Sequence, residues 1–348
     1  MHKLNRVKLL LGAPLLALLA LLVTGAQVAQ AGVLDKVKAH GSVRCGVAGD
    51  KPGFSLIDDK GRWTGMDVDL CRAVAAAVLG DADKVEYLTT TAKNRFTALA
   101  SGEIDILSRA ASWTAERVAN LGVDFTTVWF YDGQGFMTHA ADGIKKLTDL
   151  DGATFCLSPG TTSEQNLEDY FGRRGLTYKT VVIEKSPELY AAFQRGRCNA
   201  ISNDSSGLAA RLALMNNPQD YVLLPEVISK EPLGAFVAQG DTTWRNIVTW
   251  TAYALMTGEE LGVTSENVDQ LHSDKTASTD IARLLGTEGT IGKSFGLDSD
   301  WAYRALKQVG NYAQIYDRNL GQQTALNIPR GLNRSWKDNG LMYAPPIR

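Results

Sequence analysis

The sequence predicts an α/β protein made of two similar lobes with a cleft between them. This fold class is predicted by two series of short apolar runs that alternate with helical patterns. The first series begins at Val43 and the second at Ala153. Two extended runs, residues 132–143 and 231–240, connect the series. A chain that crosses twice in this way inserts its second unit into its first. Each lobe is then a mixed, mainly parallel sheet flanked by helices, and clefts between lobes are preferred ligand sites.

The first series has the order strand, helix, strand, helix, strand. Its long helix has apolar residues at helical spacing from Leu70 to Val78, and Gly80 is its expected C-terminal cap. Its last strand is expected to end at Ser108. In chain order the five segments are "VRCGV", "MDVDLCRAVAAAVLG", "KVEYLT", "KNRFTALASG" and "IDILS".

The second series repeats this order and is followed by a helix-rich stretch. Its five segments are "ATFCLS", "TSEQNLEDYFGRRG", "YKTVVIE", "SPELYAAFQRG" and "CNAISN". From the connecting runs we expect residues 32–137 to form the first part of lobe 1 and residues 138–235 to form the inserted lobe 2. Residues 236–348 then return to lobe 1 and add a C-terminal helical extension.

The N-terminus is typical of a secretory signal peptide. Three basic residues within the first eight precede an apolar run at 9–23, and "AQA" at 29–31 supplies small residues for cleavage before Gly32. A transmembrane anchor is the alternative. Pro14 interrupts the run, and the run is shorter than the roughly 20 residues that span a bilayer. The mature chain is therefore expected to be soluble and exported.

Composition argues against several classes of partner and chemistry. Residues 1–31 contain three basic and no acidic residues, so their removal changes the formal charge from -2 to -5, which disfavours nucleic acid. The four histidines are scattered, so we expect no metal site. The glycines of "GTEGTIG" follow no strand, so no dinucleotide cofactor is expected. No G-x-S-x-G elbow is present and no histidine lies near the polar motifs, so we expect no enzyme.

The four cysteines predict two disulfides, because an even number in an exported chain is typical of such bonds. Four cysteines allow three connectivities. Two lie in the first series and two in the second, so we expect the pairs Cys45–Cys71 and Cys156–Cys198. Four buried free thiols are the alternative.

Polar side chains follow the strand "IDIL" within "SRAASWTAER", residues 108–117. Thr114 is a good N-cap and Glu116 suits the first turn of a helix. Arg117 opposes the helix dipole there, unless a bound anion compensates it. A capped helix with a solvated arginine, a catalytic serine cluster and an anion site are the three interpretations. The serine cluster lacks a base.

Two further strand ends carry similar groups. Thr161 and Glu164 in "SPGTTSE" match a capping box, although hydroxyls and a glycine at a helix start also suit an anion. Asp204 in "NAISND" suits an N-cap or a carboxylate that receives an ammonium group. Ligands of α/β sheets bind beyond the carboxyl ends of the strands. Together the three ends predict a site for a zwitterion.

Four blocks in order over residues 40–210 resemble the periplasmic polar amino-acid-binding proteins, the solute receptors of ABC importers. They are "GRWTGMDVDLCRAVAAAV", "FTALASGEIDIL" with "TAER", "LDGATFCLSPGTTSE" and "AFQRGRCNAISND". The branch of general L-amino-acid and glutamate/glutamine/aspartate/asparagine-binding receptors is closer still. Six further segments resemble this branch: "TAKNRFTAL", "FYDGQGFM", "VLLPEVISKEPLG", "RLLGTEG", "DWAYRALKQVGNY" and "YAPPIR". The resemblance covers nearly the whole mature chain.

The resemblance implies the two-lobed type II periplasmic-binding-protein fold and a role for several residues. Arg117, with Ser112 and Thr162, is expected to bind the α-carboxylate of the ligand. Asp204 is expected to bind its α-amino group. Thr161 lies in the same loop as Thr162 and is expected to contribute through its backbone.

Two positions depart from the wider family. Lys51 stands where many members have an aromatic residue that stacks on the ligand, and it suits an acidic ligand side chain. Arg109 stands where the family has a small residue, and its guanidinium suits a side-chain carboxylate or amide.

The resemblance also implies a monomeric receptor without a cofactor that binds L-amino acids. The expected ligands are polar and acidic amino acids and their amides, over a range that the sequence does not limit. The receptor is expected to deliver them to the permease subunits of an ABC transporter. A periplasmic sensor or an enzyme of the same fold is the alternative.

Overall fold

The computed structural model describes residues 32–348. The expected signal peptide, residues 1–31, lies outside the described residues. Within residues 32–348, no helix combines the length and the apolar character needed to cross a membrane.

The described chain forms two five-stranded sheets and one small three-stranded sheet. The strands are β1 (Val43–Val47), β2 (Asp50–Lys51), β3 (Ser55–Ile57), β4 (Trp63–Thr64), β5 (Val85–Thr89), β6 (Ile106–Ser112), β7 (Val123–Asp132), β8 (Gln134–His139), β9 (Thr154–Leu157), β10 (Lys179–Val182), β11 (Ala200–Asp204), β12 (Tyr221–Leu223) and β13 (Glu231–Ala238). The first sheet has the order β5-β1-β6-β13-β7 and the second has the order β10-β9-β11-β8-β12. The small sheet has the order β2-β3-β4.

Helices cover the two large sheets, as the alternating pattern predicts. They are α1 (Val33–His40), α2 (Met66–Leu79), α3 (Arg95–Ala100), α4 (Ala115–Asn120), α5 (Thr162–Gly172), α6 (Ser186–Gln194), α7 (Ser205–Ala213), α8 (Thr242–Glu260), α9 (Val268–Ser273), α10 (Thr279–Leu285), α11 (Ile291–Ser294), α12 (Trp301–Val309) and α13 (Tyr312–Asn319). The C-terminal helices belong to the core of the first sheet, because Trp244, Trp301 and Tyr312 share one buried cluster with Val43 and Ala75.

Both large sheets are mixed. Strand β1 runs parallel to β5 and β6, whereas β13 runs antiparallel to β6 and β7. In the second sheet β9 runs parallel to β10 and β11, whereas β8 runs antiparallel to β11 and β12. Each sheet therefore has as many antiparallel as parallel pairings, although we expected mainly parallel ones. The antiparallel share comes from the long connecting strands, whose partners a local pattern does not reveal.

The chain crosses between the large sheets at two places. Strand β7 ends at Asp132 in the first sheet, and β8 begins at Gln134 in the second. The chain returns from the second sheet to the first between Leu223, the end of β12, and Glu231, the start of β13. Both crossings lie several residues before the expected boundaries at 137/138 and 235/236.

Two disulfides form within the large sheets and their helices. Cys45 in β1 is bonded to Cys71 in α2, with Cα atoms 6.3 Å apart. Cys156 in β9 is bonded to Cys198, just before β11, with Cα atoms 5.6 Å apart. These are the two expected pairs, and none of the described cysteines is a free thiol. Each bond joins elements of one sheet and its helices, so neither restricts movement between the sheets.

Helix α2 begins and ends where the backbone requires glycine. Gly65 precedes it at φ 129°, and a Cβ atom at this position would collide with the carbonyl of Phe54. Gly80 follows it in the left-handed conformation and donates its N–H to the carbonyl of Ala76, as expected for a C-terminal cap.

Candidate functional site

A cleft of about 740 Å³, counting its part open to solvent, lies between the two large sheets. It is lined at the carboxyl ends of β6, β9 and β11 by Ser112, Ser158 and Asp204. This is where ligands of open α/β sheets bind. The cleft brings together all seven residues that the sequence nominated for ligand binding. They are Lys51, Arg109, Ser112, Arg117, Thr161, Thr162 and Asp204.

Strand β6 continues through the polar segment that we expected to follow it. It ends at Ser112 and not at Ser108, and Ala110 within it has φ 42°. Side chains of a regular strand alternate between its two sides. The left-handed residue breaks this alternation, so Arg109, Ala110 and Ser112 all line the cleft. Ser108 is buried instead, and its hydroxyl lies 3.4 Å from a carboxylate oxygen of Asp67.

Helix α4 positions Arg117. The Thr114 hydroxyl accepts the Arg117 backbone N–H at 3.2 Å, which confirms the expected N-cap. The side chain turns back, and its Nη1 donates to the Ser112 carbonyl at 2.7 Å. The guanidinium is buried and lies 5.1 Å from the centre of the Phe96 ring. Burial lowers the pKa of Arg117, but a guanidinium remains charged at neutral pH. Its other N–H groups are left to bind an anion.

The expected capping box at the start of α5 is wrong. The Thr161 hydroxyl donates to the Ser158 carbonyl at 2.9 Å and does not cap the helix. The Glu164 carboxylate accepts the N–H of Gly160, at 2.9 Å, in place of the N–H of Thr161. The first backbone N–H groups of a helix have no partner within it. Because no side chain caps α5, the backbone N–H groups of Thr162 and Ser163 remain available beside the cleft.

A buried carboxylate that the sequence analysis missed lies behind Ser112 and Thr162. Glu231 is 2 % exposed and accepts hydrogen bonds from both hydroxyls, from Thr162 at 3.0 Å. Asn166 also donates to it, at 2.9 Å, as does Ser229 at 2.6 Å. Both hydroxyls therefore donate their hydrogen bonds to Glu231 in this structure. Nothing in the run "EPLG" indicates that its glutamate is buried.

Asp204 is paired across the cleft. It occupies the N-cap position of α7 but makes no side-chain cap. Its Oδ2 accepts a hydrogen bond from Lys51 Nζ at 2.8 Å, and both side chains are largely buried. Beside this pair, Arg211 of α7 donates to the carbonyl of Asp50 at 2.6 Å. Lys51 therefore faces an acidic group of the protein itself.

Arg109 lies beside a second arginine that the sequence analysis missed. Arg109 Nε donates to the Thr90 carbonyl at 3.0 Å. Arg95 is 4 % exposed, and its Nε has no hydrogen-bond partner among residues 32–348. Burial lowers the pKa of both groups, and the charges of Arg109 and Arg117 lower the pKa of Arg95 further. Arg95 is the first residue of α3, where a cation opposes the helix dipole. The same local signal, a cation at a helix start, is present at Arg117 and at Arg95.

Positive charge exceeds negative charge in the cleft. The basic residues that line it are Lys51, Arg95, Arg109, Arg117 and Arg211. The acidic residues that line it are Asp50, Glu184 and Asp204. Within residues 32–348, no carboxylate lies within 4 Å of the guanidinium groups of Arg95, Arg109 or Arg117. The cleft is therefore suited to a ligand with at least one carboxylate.

Comparisons with known proteins agree on one family. Residues 43–267 match the family model for bacterial extracellular solute-binding proteins, family 3. The general L-amino acid-binding periplasmic protein AapJ of Rhizobium johnstonii is 49 % identical over 331 residues, which cover 94 % of this chain and 96 % of that protein. The glutamate/glutamine/aspartate/asparagine-binding protein BztA of Rhodobacter capsulatus is 47 % identical over 330 residues, which cover 95 % and 97 %.

A solved structure is similar over most of the chain. It is the ABC transporter periplasmic binding protein from Brucella ovis with glutathione bound. It is 46 % identical in sequence and superposes with a TM-score of 0.88, and the match covers 91 % of this chain and all of that one.

Proposed function

The chain belongs to the bacterial extracellular solute-binding proteins of family 3, and we propose that it is a periplasmic receptor that captures L-amino acids for an ABC transporter. The single observation that carries this proposal is the meeting of Arg117 and Asp204 in one cleft between two sheets. A guanidinium and a carboxylate placed in this way complement the carboxylate and ammonium groups that all amino acids share.

The α-carboxylate binds to Arg117 and to the free N–H groups at the start of α5. Thr161 and Thr162 contribute there chiefly through the backbone, because both hydroxyls are already donating. The Ser112 hydroxyl is likewise already donating, to the carboxylate of Glu231. The ammonium group replaces Lys51 on Asp204. Hydrogen bonds to charged groups contribute roughly 1.5–3 kcal/mol each. Five or six of them, less the cost of association, suffice for micromolar affinity.

The surplus of positive charge favours acidic side chains and their amides. Arg95 and Arg109 are the cations left for a ligand side chain once Arg117 has the α-carboxylate. Glutamate and aspartate bring a second carboxylate to them, whereas glutamine and asparagine bring an amide oxygen. The acidic and amide ligands in the name of the Rhodobacter relative support this class.

The two lobes close on the ligand by hinge motion. Lobe 1 comprises residues 32–132 with 231–348, and lobe 2 comprises residues 134–223, so that the hinge lies at the two crossings. A ligand held by Arg117 from one lobe and by Asp204 from the other stabilises the closed form, because only that form makes both contacts. The closed monomer then docks on the permease subunits of the transporter in the periplasm, after removal of the signal peptide.

The proposed role is binding without catalysis. The cleft lining contains serines but none of the described histidines, so no general base of that type lies beside them. His139 Nε2 donates to the carbonyl of Phe193, 3.0 Å away, within the second sheet and its helices.

A tripeptide with a γ-glutamyl end is a second candidate ligand, because the similar Brucella ovis structure has glutathione bound. The glutamyl end of glutathione carries the same α-amino and α-carboxylate groups as an amino acid. Its glycine end carries the second carboxylate that the surplus arginines favour.

A thermal-shift screen of the twenty amino acids and glutathione tests the proposal. A ligand that binds only the native state raises the melting temperature. We expect the largest shifts with glutamate, aspartate and their amides, followed by calorimetric dissociation constants in the micromolar range or below. No shift with any amino acid would overturn the function, and shifts with aliphatic amino acids alone would overturn the preference for acidic ligands.

A further inference from the structure

Lys51 already supplies an ammonium group to Asp204. Its Nζ lies 2.8 Å from Oδ2 of that carboxylate, with Lys51 in lobe 1 and Asp204 in lobe 2. In the proposed function this carboxylate receives the ammonium of an amino acid. The lysine side chain therefore stands where the ligand would place a group of the same charge and the same hydrogen-bonding capacity.

The surroundings are built for this position of the lysine. Gly207, in the first turn of α7, lies beside the lysine side chain. A Cβ atom at this position would lie 3.3 Å from Lys51 Cε and 3.9 Å from Nζ. On its other side, Nζ lies 5.0 Å from the centre of the Phe54 ring, within the range of a cation–π contact. A side chain at position 207 would therefore crowd the lysine in this position.

This pairing changes which ligands can satisfy the cleft. With Lys51 on Asp204, the acidic group is neutralised without any contribution from a ligand. Arg95, Arg109 and Arg117 then remain as cations that no carboxylate of the described chain contacts. A ligand with two carboxylates and no amino group would match them, and its two negative charges would balance the excess of two positive charges in the cleft lining.

We propose that the cleft also binds linear dicarboxylates that lack an amino group, with Lys51 supplying to Asp204 the ammonium that an amino acid would otherwise bring. One carboxylate binds to Arg117, and the other binds to Arg95 and Arg109. The proposal rests on the proposed site and extends its ligands to a class without the amino group. An amino acid displaces Lys51 from Asp204, whereas a dicarboxylate leaves the pair in place.

Calorimetric titration with glutarate and L-glutamate tests the proposal, because the two differ only by the amino group. We expect the wild-type protein to bind glutarate within about thirtyfold of its L-glutamate dissociation constant. Lys51→Met should weaken glutarate at least tenfold, since it leaves the carboxylate of Asp204 unpaired in a closed site. It should not weaken L-glutamate, since the ligand ammonium takes the place on Asp204 without displacing a lysine.

The outcomes separate this inference from the proposed function. Wild-type protein that binds L-glutamate but not millimolar glutarate overturns the inference alone, and so does an equal loss of both ligands in Lys51→Met. Binding of glutarate but not of any amino acid overturns the proposed function alone. Lys145→Met is the matched control, because it removes the same charge from an exposed lysine outside the cleft lining. Both ligands should bind to it as to wild type.

Discussion

Arg117 is the residue on which binding of every amino acid should depend. Its guanidinium is buried in the cleft wall, and the Ser112 carbonyl and the Phe96 ring hold it in place. Arg117→Ala removes the only charged partner that we assign to the α-carboxylate. We expect at least a hundredfold weaker binding of all amino acids by calorimetry. Arg173→Ala, at an exposed position of lobe 2, is the control. Affinity close to that of wild type in Arg117→Ala would refute the assignment.

Arg109 should instead affect selectivity. It reaches the cleft from the irregular part of β6, and its Nε is held by the Thr90 carbonyl. Arg109→Ala is expected to weaken glutamate and aspartate about tenfold, roughly 1.4 kcal/mol, and to change alanine and leucine by less than threefold. Titrations with the four ligands on one preparation measure the difference. An equal loss for all four would remove the side-chain role and leave Arg109 a general part of the site.

Asp67 should make stability depend on pH. The residue is 2 % exposed, its Oδ2 has no partner in the described chain, and burial raises the pKa of its carboxyl to about 6. The folded protein therefore holds this proton more tightly than the unfolded chain, whose carboxyl has a pKa of about 4. The free energy of unfolding should accordingly fall as the pH rises from about 4 to above 6.

The substitution Asp67→Asn isolates this effect. It should raise the free energy of unfolding at pH 8 relative to wild type, by up to roughly 3 kcal/mol for a shift of about two pKa units, and by much less at pH 4. Urea denaturation at both pH values gives the comparison. Asp59→Asn, at an exposed position, should show no such difference. A benefit of Asp67→Asn that does not change with pH would contradict the assignment.

Individual residues also show where sequence reasoning stops. Arg117 and Asp204 were predictable because each stands near a helix start after a strand, a place where charge and free N–H groups have local consequences, whereas Ser112 and Thr162 were assigned from the family resemblance. Glu231 was not predictable, because its burial arises from Ser112 and Asn166, which lie more than sixty residues away along the chain. Lys51 was assigned to the cleft, but its partner Asp204 comes from the other sheet.

At the scale of elements, periodicity predicted the existence of strands and helices better than their ends. Strand β6 continues past Ser108 because β13 pairs with it as far as Ser112. The start of α5 departs from its local signature because the Thr161 hydroxyl binds the Ser158 carbonyl. In both cases a contact outside the local pattern decides. The α5 deviation leaves backbone donors free at the cleft.

The disulfides should stabilise each lobe without affecting the ligand. Cys156–Cys198 closes a loop with a sequence separation of 42 and lies in the core beneath β9 and β11. Replacing both cysteines by alanine should lower the free energy of unfolding by about 2–4 kcal/mol, as is usual for such a crosslink. Ligand affinity below the melting transition should stay within threefold, because neither residue lines the cleft. A large loss of affinity in the folded variant would show that the bond shapes the site.

For the whole molecule, the important contacts are those that join the lobes. Lys51 with Asp204 and Arg211 with the Asp50 carbonyl cross the cleft on one side. Near the hinge, the Glu231 carboxylate accepts bonds from Ser112 of lobe 1 and from Thr162 of lobe 2. The Lys51, Arg211 and Thr162 bonds are lost if the lobes separate, whereas the bond from Ser112 to Glu231 stays within lobe 1. The bonds of Arg211 and Thr162 therefore favour closure independently of the identity of the ligand, whereas an amino-acid ligand replaces the contact between Lys51 and Asp204.

Glu231 allows this view of closure to be tested, because it joins the lobes without lining the cleft. Glu231→Ala leaves the Ser112 and Thr162 hydroxyls without their shared acceptor, so closure becomes less favourable and all amino acids should bind about tenfold more weakly. Small-angle scattering at one subsaturating ligand concentration should show a larger radius of gyration than for wild type. Glu231→Gln should lie between the two, since a hydroxyl can rotate to accept from the amide. Glu168→Ala, exposed on α5, is the control. A loss confined to acidic ligands would mean that Glu231 acts on the ligand and not on closure.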